Sequence, residues 1–270
     1  MADSFFTIDT RPDGTEWIRP TELARGPWDP DACHGGPPTA MLVRALERAV
    51  ALRLARISVD LARPVPMAGF AIVTEVARAG RATANTRAVL VDADGKERAS
   101  ATGMHVAVAE PPVLDASLDN SGVTLPRSAD AVDGEFPFAR TFMFHELSGF
   151  RDAVRVRYPV GEDNAPGSTT LFMSSVDIVA GEEASPFMRI APLSDCGNAF
   201  SRHLEADQMQ FVNTDLVIAL HRDPVGEWLG SRVSSQWQPS GVGLADAMLF
   251  DDEGPVGRAL QTMLLRRTTG

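Results

Sequence analysis

The stretch "HGGPPTAML" (34–42) sets a histidine and two glycines before two prolines and a long apolar run. Proline suits the first helical turn, so the segment reads as a loop tipping into a helix. Free N–H groups at such a helix mouth suit an anionic oxygen, and Gly35 and Gly36 would let a reacting group approach closely, having no Cβ. His34 titrates near neutrality, which invites a base role. No carboxylate accompanies it in sequence, so it reads as a neighbour of the chemistry. A second polar set lies far along the chain: Asp195 in "LSDCGN", Asn213 and Thr214 in "FVNTDL", and Gln261 in "ALQTML". A carboxylate near a helix start can hold and deprotonate a water, and neutral amides orient one by donating and accepting together. Each has a plainer reading. Asp195 could cap a helix, Asn213 could open a strand, Gln261 could face solvent, and Asp215 could serve as a cap or ion-pair partner.

The elements that must position these residues follow a repeat. Met41, Leu42, Ala45, Leu46, Ala49 and Val50 recur at three- and four-residue spacing, with Arg44, Glu47 and Arg48 between them. That is a helix with one apolar stripe. Alternating, β-branched segments follow at 57–65, 70–78, 83–95 and 97–109. The second half repeats the order: a helix over 192–206, then strands at 211–225, 227–237, 242–254 and 256–267. Pro64 precedes Gly95 by 31 residues and Pro224 precedes Gly254 by 30, each interval closing on an acidic turn, "DADG" or "DDEG". His34 lies 30 residues before Pro64 and Asp195 lies 29 before Pro224, giving a period of about 160 residues. By this count His34 and the Asp195 region are counterparts, and Thr102 is the counterpart of Gln261. Extended segments precede each helix: 4–10 and 15–23 in the first half, and 138–147, 153–160 and 169–179 in the second. Residues 109–135 are polar and rich in Pro, Ser and Asp, and read as a linker between an N-terminal unit (1–108) and a C-terminal unit (136–270). One helix with a mostly antiparallel sheet around it, made twice, is an α+β solution.

Composition narrows the partners. A net charge of −11 and a pI near 4.9 argue against nucleic acid and against anionic membrane surfaces. No stretch approaches the roughly 18 apolar residues of a membrane span, and the first residues lack a signal-peptide pattern. Two cysteines, Cys33 and Cys196, make no disulfide framework. The cytoplasm is the expected setting. His145, His203 and His221 show no metal spacing, and no GxSxG elbow exists.

With these segments in hand, the chain resembles the acyl-CoA thioesterase II-type branch of the double-hotdog proteins. The resemblance rests on "HGGPPTAMLVRALE", "SDCGNAFSR", "FVNTDLVIALHRDPVGEWLG" and "GPVGRALQTMLL", and covers most of 28–108 and 186–267. It implies a double hotdog fold, two tandem copies of a long helix wrapped by antiparallel sheet, and hydrolysis of an acyl-CoA or related thioester to free acid and thiol. It also implies a catalytic Asp at Asp195, a Gln at Gln261, and a hydroxyl residue where this chain has Asn213, with Thr214 beside it. Gly35, Gly36, His34 and Thr214 are then oxyanion or substrate contacts. No cofactor is expected beyond the coenzyme A of the substrate, and no metal; a homodimer is expected by analogy. Arg63, Arg222, Arg232, Arg266 and Arg267 are candidates for the coenzyme phosphates. Two other readings are a non-catalytic acyl-thioester or lipid-binding protein and an enoyl-CoA hydratase. Such hydratases carry a His five residues after the Asp, where this chain has Phe200.

Overall fold

The computed structural model describes residues 3–108, 122–137, 146–205 and 207–267. The expected strand at 138–147 falls largely outside them, as do His145 and most of the 109–135 segment. The first half runs β1 (Ser4–Thr10), β2 (Glu16–Pro20), α1 (Gly36–Ala49), β3 (Arg53–Asp60), β4 (Ala71–Ala79), β5 (Thr83–Val91) and β6 (Glu97–Val106). The second runs β7 (Val132–Gly134), β8 (Val154–Tyr158), β9 (Thr169–Ser175), β10 (Asp177–Val179), α2 (Pro186–Ser194), α3 (Gly197–Phe200), β11 (Met209–Asn213), β12 (Asp215–Leu220), β13 (Leu229–Trp237), β14 (Val242–Asp251) and β15 (Gly254–Arg267). The architecture is α+β. β7 lies within the stretch expected to be linker and forms one edge of the large sheet.

One sheet carries both halves. Its order is β4-β5-β6-β3-β12-β15-β14-β13-β9-β8-β7, with β11 added alongside β15. The first eight strands read the same outward from the β3–β12 junction, where each half contributes its own four. At that junction Ile57 pairs with Ile218, 161 residues on, the same separation as between His34 and Asp195. A local two-fold axis therefore passes through this pair. The acidic turns correspond as well: Gly95 and Gly254 both take positive φ (75° and 122°), a conformation glycine adopts without strain. In each turn the first aspartate, Asp92 or Asp251, accepts backbone N–H groups from the residues that follow.

The register corrects one counterpart. Ile57 lies opposite Gly103 and Ile218 opposite Ala259, so two residues further along each strand the match to Gln261 is His105, not Thr102. His105 is fully buried, within hydrogen-bond distance of Thr86 Oγ1 (2.8 Å) and the Leu52 carbonyl (3.1 Å). Burial pushes its pKa below the usual histidine value, against a smaller opposing effect of the Leu52 carbonyl. The unfolded chain then binds more protons than the folded one, so stability falls as pH drops below about 6.5. The thermal midpoint of the native protein should drop more between pH 7.5 and 5.5 than that of His105→Gln; equal drops would remove this coupling.

The helices differ more than the repeat implies. α1 starts where expected, with prolines in its first turn. The second helix begins at Pro186, not at 192. Ser185 is its N-cap, accepting from Met188 N at 3.1 Å, and "SPF" was the unread start signal. Pro192 sits inside α2, and the helix stops at Asp195–Cys196 before resuming as the single turn α3. Asp195 is thus the C-cap of α2 and not a helix-start cap. α1 and α2 pack antiparallel: Gly36 meets Pro192 near one end, and Ser185 Oγ bonds Glu47 at the other (2.6 Å). A Cβ on Gly36 would lie 2.8 Å from Pro192 Cα and 3.0 Å from its carbonyl oxygen. Gly36→Ala should therefore cost about 1–3 kcal/mol in denaturant unfolding, the usual penalty for forcing atoms into a packed core. An unchanged midpoint would show that the helices separate freely. Both helices and the inner sheet face form one continuous core that includes Leu42, Leu46, Ile57, Ile190 and Ile218.

Candidate active site

The break between α2 and α3 lies against the mouth of α1, and this juxtaposition builds the site. Asp195 is 3% exposed. Its Oδ1 accepts from Asn213 Nδ2 (2.7 Å) and from Gln261 Nε2 (3.3 Å), and Gln261 Nε2 also donates to the Asp195 carbonyl (3.0 Å). Gln261 Oε1 accepts the backbone N–H of Asn198 (3.0 Å), and Asn198 Nδ2 donates to Asn213 Oδ1 (3.3 Å). The last strand, the strand before the β3 junction and the first turn of α3 thus hold one carboxylate in a closed polar ring. Such a buried network is stable because every member has a partner. Residue 197 must be glycine for this, since a Cβ there would stand 2.9 Å from Gln261 Oε1.

The other oxygen of Asp195 faces the first half. Oδ2 lies 3.1 Å from His34 Nδ1 and 2.9 Å from where a Cβ on Gly35 would be. His34 therefore has the carboxylate neighbour that its sequence surroundings lacked. Asp195 is not its counterpart in space but the group opposite it. The loop carrying His34 is laced down by Gly26 N to Ala32 O, His34 N to Ala24 O and Cys33 N to Val65 O, each 2.8 Å. The imidazole stacks on Phe150, 3.9 Å between centroids and 9° from parallel.

A cleft of about 450 Å³ opens here, lined by Asp195, Asn198, Asn213, Thr214, His34 and Gly35 among others. Its apolar walls include Trp28, Leu61, Phe136, Leu147, Phe150 and Phe211. Gly36 and Gln261 do not reach it: Gly36 is sealed against α2, and Gln261, 2% exposed, stands behind Asp195. Thr214 lines the cleft, but its hydroxyl donates to the Thr262 carbonyl (3.3 Å). Asp215 Oδ1 accepts the Thr262 N–H at 2.6 Å, fastening the break between β11 and β12 to β15. Of the arginines singled out by type, Arg63 lines the cleft; Arg222 is paired with Asp251, and Arg232 donates to the Thr124 carbonyl. Arg25 and Arg151 also line it, with nothing in their sequence spacing to mark them. Asn198 and Phe150 were likewise missed. Asn198 had one signal, its position three residues after Asp195, which places both on one turn.

The prolines decide which donors the mouth of α1 offers. Pro37 and Pro38 have no N–H, and Thr39 N already bonds Gly35 O. That leaves Gly35 and Gly36. Gly36 N donates to His34 Nδ1 (3.1 Å), and Gly35 N–H meets no protein acceptor among the described residues. Neither cysteine offers a nucleophile: burial pushes both thiols well above their usual pKa.

Comparison with known proteins agrees with this arrangement. Residues 24–106 match the model of the acyl-CoA thioesterase N-terminal domain, and residues 125–265 that of the C-terminal domain. No curated sequence matches the chain. Among solved structures, a protein of Novosphingobium aromaticivorans with a thioesterase assignment superposes with a TM-score of 0.72 at 17% identity, covering 96% of this chain and 98% of its own. The acyl-CoA thioesterase II TesB2 of Mycobacterium marinum gives 0.65 at 18% identity over 87% and 90%. A protein of Alicyclobacillus acidocaldarius described as having a hot dog fold gives 0.71 at 15% identity over 96% of each chain. Since the two domain models together span most of the sequence in their natural order, the chain belongs to the acyl-CoA thioesterase family and is a thioester hydrolase.

Proposed function

We propose that the two halves, 1–108 and 136–270 joined through 109–135, form a double hotdog whose cleft hydrolyses an acyl-CoA or closely related acyl thioester. The observation that carries this reading is the state of Asp195. Its Oδ1 is held by two amide donors, while Oδ2 turns toward the cleft beside Gly35. A carboxylate so fixed can accept a proton from a water without swinging away. The water oxygen attacks the thioester carbon, its proton passing to Asp195. The oxyanion forms at the mouth of α1, where Gly35 N–H is free to donate and the helix dipole favours negative charge. Collapse breaks the C–S bond, and the proton on Asp195 passes to the departing sulfur, leaving acid and thiol. Asn213 and Gln261 act here by positioning the carboxylate, since their amide groups are committed to Asp195 and Asn198.

The apolar walls take the acyl chain and the arginines at the cleft suit phosphates of the coenzyme. Purified protein incubated with acyl-CoAs of graded chain length should release free thiol with at least one of them. Tight binding without release from any length would turn the reading to a binding protein. Enoyl-CoA consumption without thiol would turn it to a hydratase, against the buried Phe200 that stands five residues after Asp195.

A further inference from the structure

His34 stands at the mouth of α1 with two neighbours at the same distance from one nitrogen. Nδ1 is 3.1 Å from Gly36 N and 3.1 Å from Asp195 Oδ2. It cannot serve both, because one ring nitrogen carries either a lone pair or a proton. The geometry separates them. The Gly36 N–H points at Nδ1 and makes an aligned hydrogen bond, whereas the Asp195 contact is close without the alignment of an Nδ1–H donor. A nitrogen that accepts a backbone N–H is unprotonated. The proton of the neutral ring is then on Nε2.

Nε2 has a place to use it. Among the described residues it makes no hydrogen bond to protein, and it is not a sealed orphan either: the one buried side-chain nitrogen or oxygen without a partner is Trp237 Nε1. His34 lines the cleft with 14% of its side chain exposed, so Nε2 opens into it. Stacking on Phe150 fixes the plane in which that N–H points. The same bond consumes the Gly36 N–H, which therefore cannot serve the oxyanion directly.

From this we propose that His34 is a catalytic residue acting as a neutral electrophile: its Nε2–H donates to the thioester carbonyl oxygen alongside Gly35 N–H. The inference rests on the hydrolase reading above and adds a donor to it. His34 keeps its proton throughout; the proton that moves is the one from water to Asp195 to sulfur. Gly36 sets the tautomer, and the helix mouth disfavours the cationic ring.

Two readouts test it. In ¹⁵N-labelled protein, with the His34 signals identified by their loss in His34→Asn, the neutral ring should show a protonated Nε2 and a bare Nδ1. A protonated Nδ1 overturns the proposal whether or not the protein hydrolyses thioesters. In steady-state kinetics, removing a donor of this kind costs about 10²–10³ in kcat. His34→Ala and His34→Asn, which place nothing at the Nε2 position, should show that loss. His34→Gln, whose amide reaches it, should recover at least tenfold over Asn. Equal losses in Gln and Asn, or more activity in Asn than in Gln, would mean that His34 works through Asp195 instead. Wild-type thiol release with an unaffected His34→Ala would likewise sink the donor role while leaving the hydrolase reading intact.

Discussion

Asp195→Asn should lower kcat for thioester hydrolysis by about 10³-fold, within the range of a lost general base. The substitution is nearly isosteric. Its carbonyl oxygen can keep the bonds from Asn213 and Gln261, and the ring that includes Asn198 stays closed. What disappears is the only carboxylate in contact with the cleft ring and with His34. Because substrate is held mainly by apolar walls, KM should change far less than kcat. Asn213→Ala makes the contrast. It removes a holder of Asp195 and not the proton acceptor, so its loss should be smaller, about tenfold by analogy with other supporting residues. Thiol-release kinetics on folded protein decide it, and full activity in Asp195→Asn would displace the carboxylate from the mechanism.

The largest expected effect on stability lies away from the cleft. Arg44→Met should destabilise the protein by about 3 kcal/mol, measured as a shift in urea midpoint at constant slope. The Arg44 side chain is 7% exposed. It donates to both oxygens of Glu16 (2.6 and 3.0 Å) and through Nε and Nη2 to Glu182 (2.8–3.1 Å), while Arg48 adds a bond to Glu182. Glu16 belongs to β2 in the first half and Glu182 precedes α2 in the second, so one guanidinium ties α1 to both. Methionine fills the stem's space but leaves two carboxylates facing each other without their shared cation. Hydrogen bonds from Arg44, the largest influence on both, hold Glu16 and Glu182 below the usual carboxylate pKa. Their contribution is therefore present above about pH 4.5 and fades as acid titrates them. The midpoint deficit of Arg44→Met relative to the native protein should narrow at low pH. A change under 0.5 kcal/mol at neutral pH would make the cluster a solvated surface feature.

Arg44 also shows how far a periodic pattern reaches. Its spacing between Met41 and Ala45 places it at the border of the apolar stripe, and by sequence it reads as polar punctuation. Burial came from Glu16 and Glu182, 28 and 138 residues away, which no local window contains. The same holds for the second helix. Its apolar content was legible, but its start was mistaken because the turn cluster at 195–198 interrupts the helix instead of opening it.

What the sequence determined by itself was the set of local choices. Alternation gave the strands of the large sheet to within a few residues, the prolines gave the mouth of α1, and recurring landmarks gave a repeat that the Ile57–Ile218 axis bears out in the sheet. Residue types marked Asp195, Asn213, Gln261 and His34 as chemically able. Tertiary structure alone decided what each touches. It turned Gln261 inward as a buried support, gave His34 both a carboxylate and a helix N–H for one nitrogen, and made His105 the match to Gln261. The reason is physical. Backbone periodicity is fixed by interactions a few residues long, whereas a catalytic contact depends on where two halves, 161 residues apart along the chain, are brought together by a shared core.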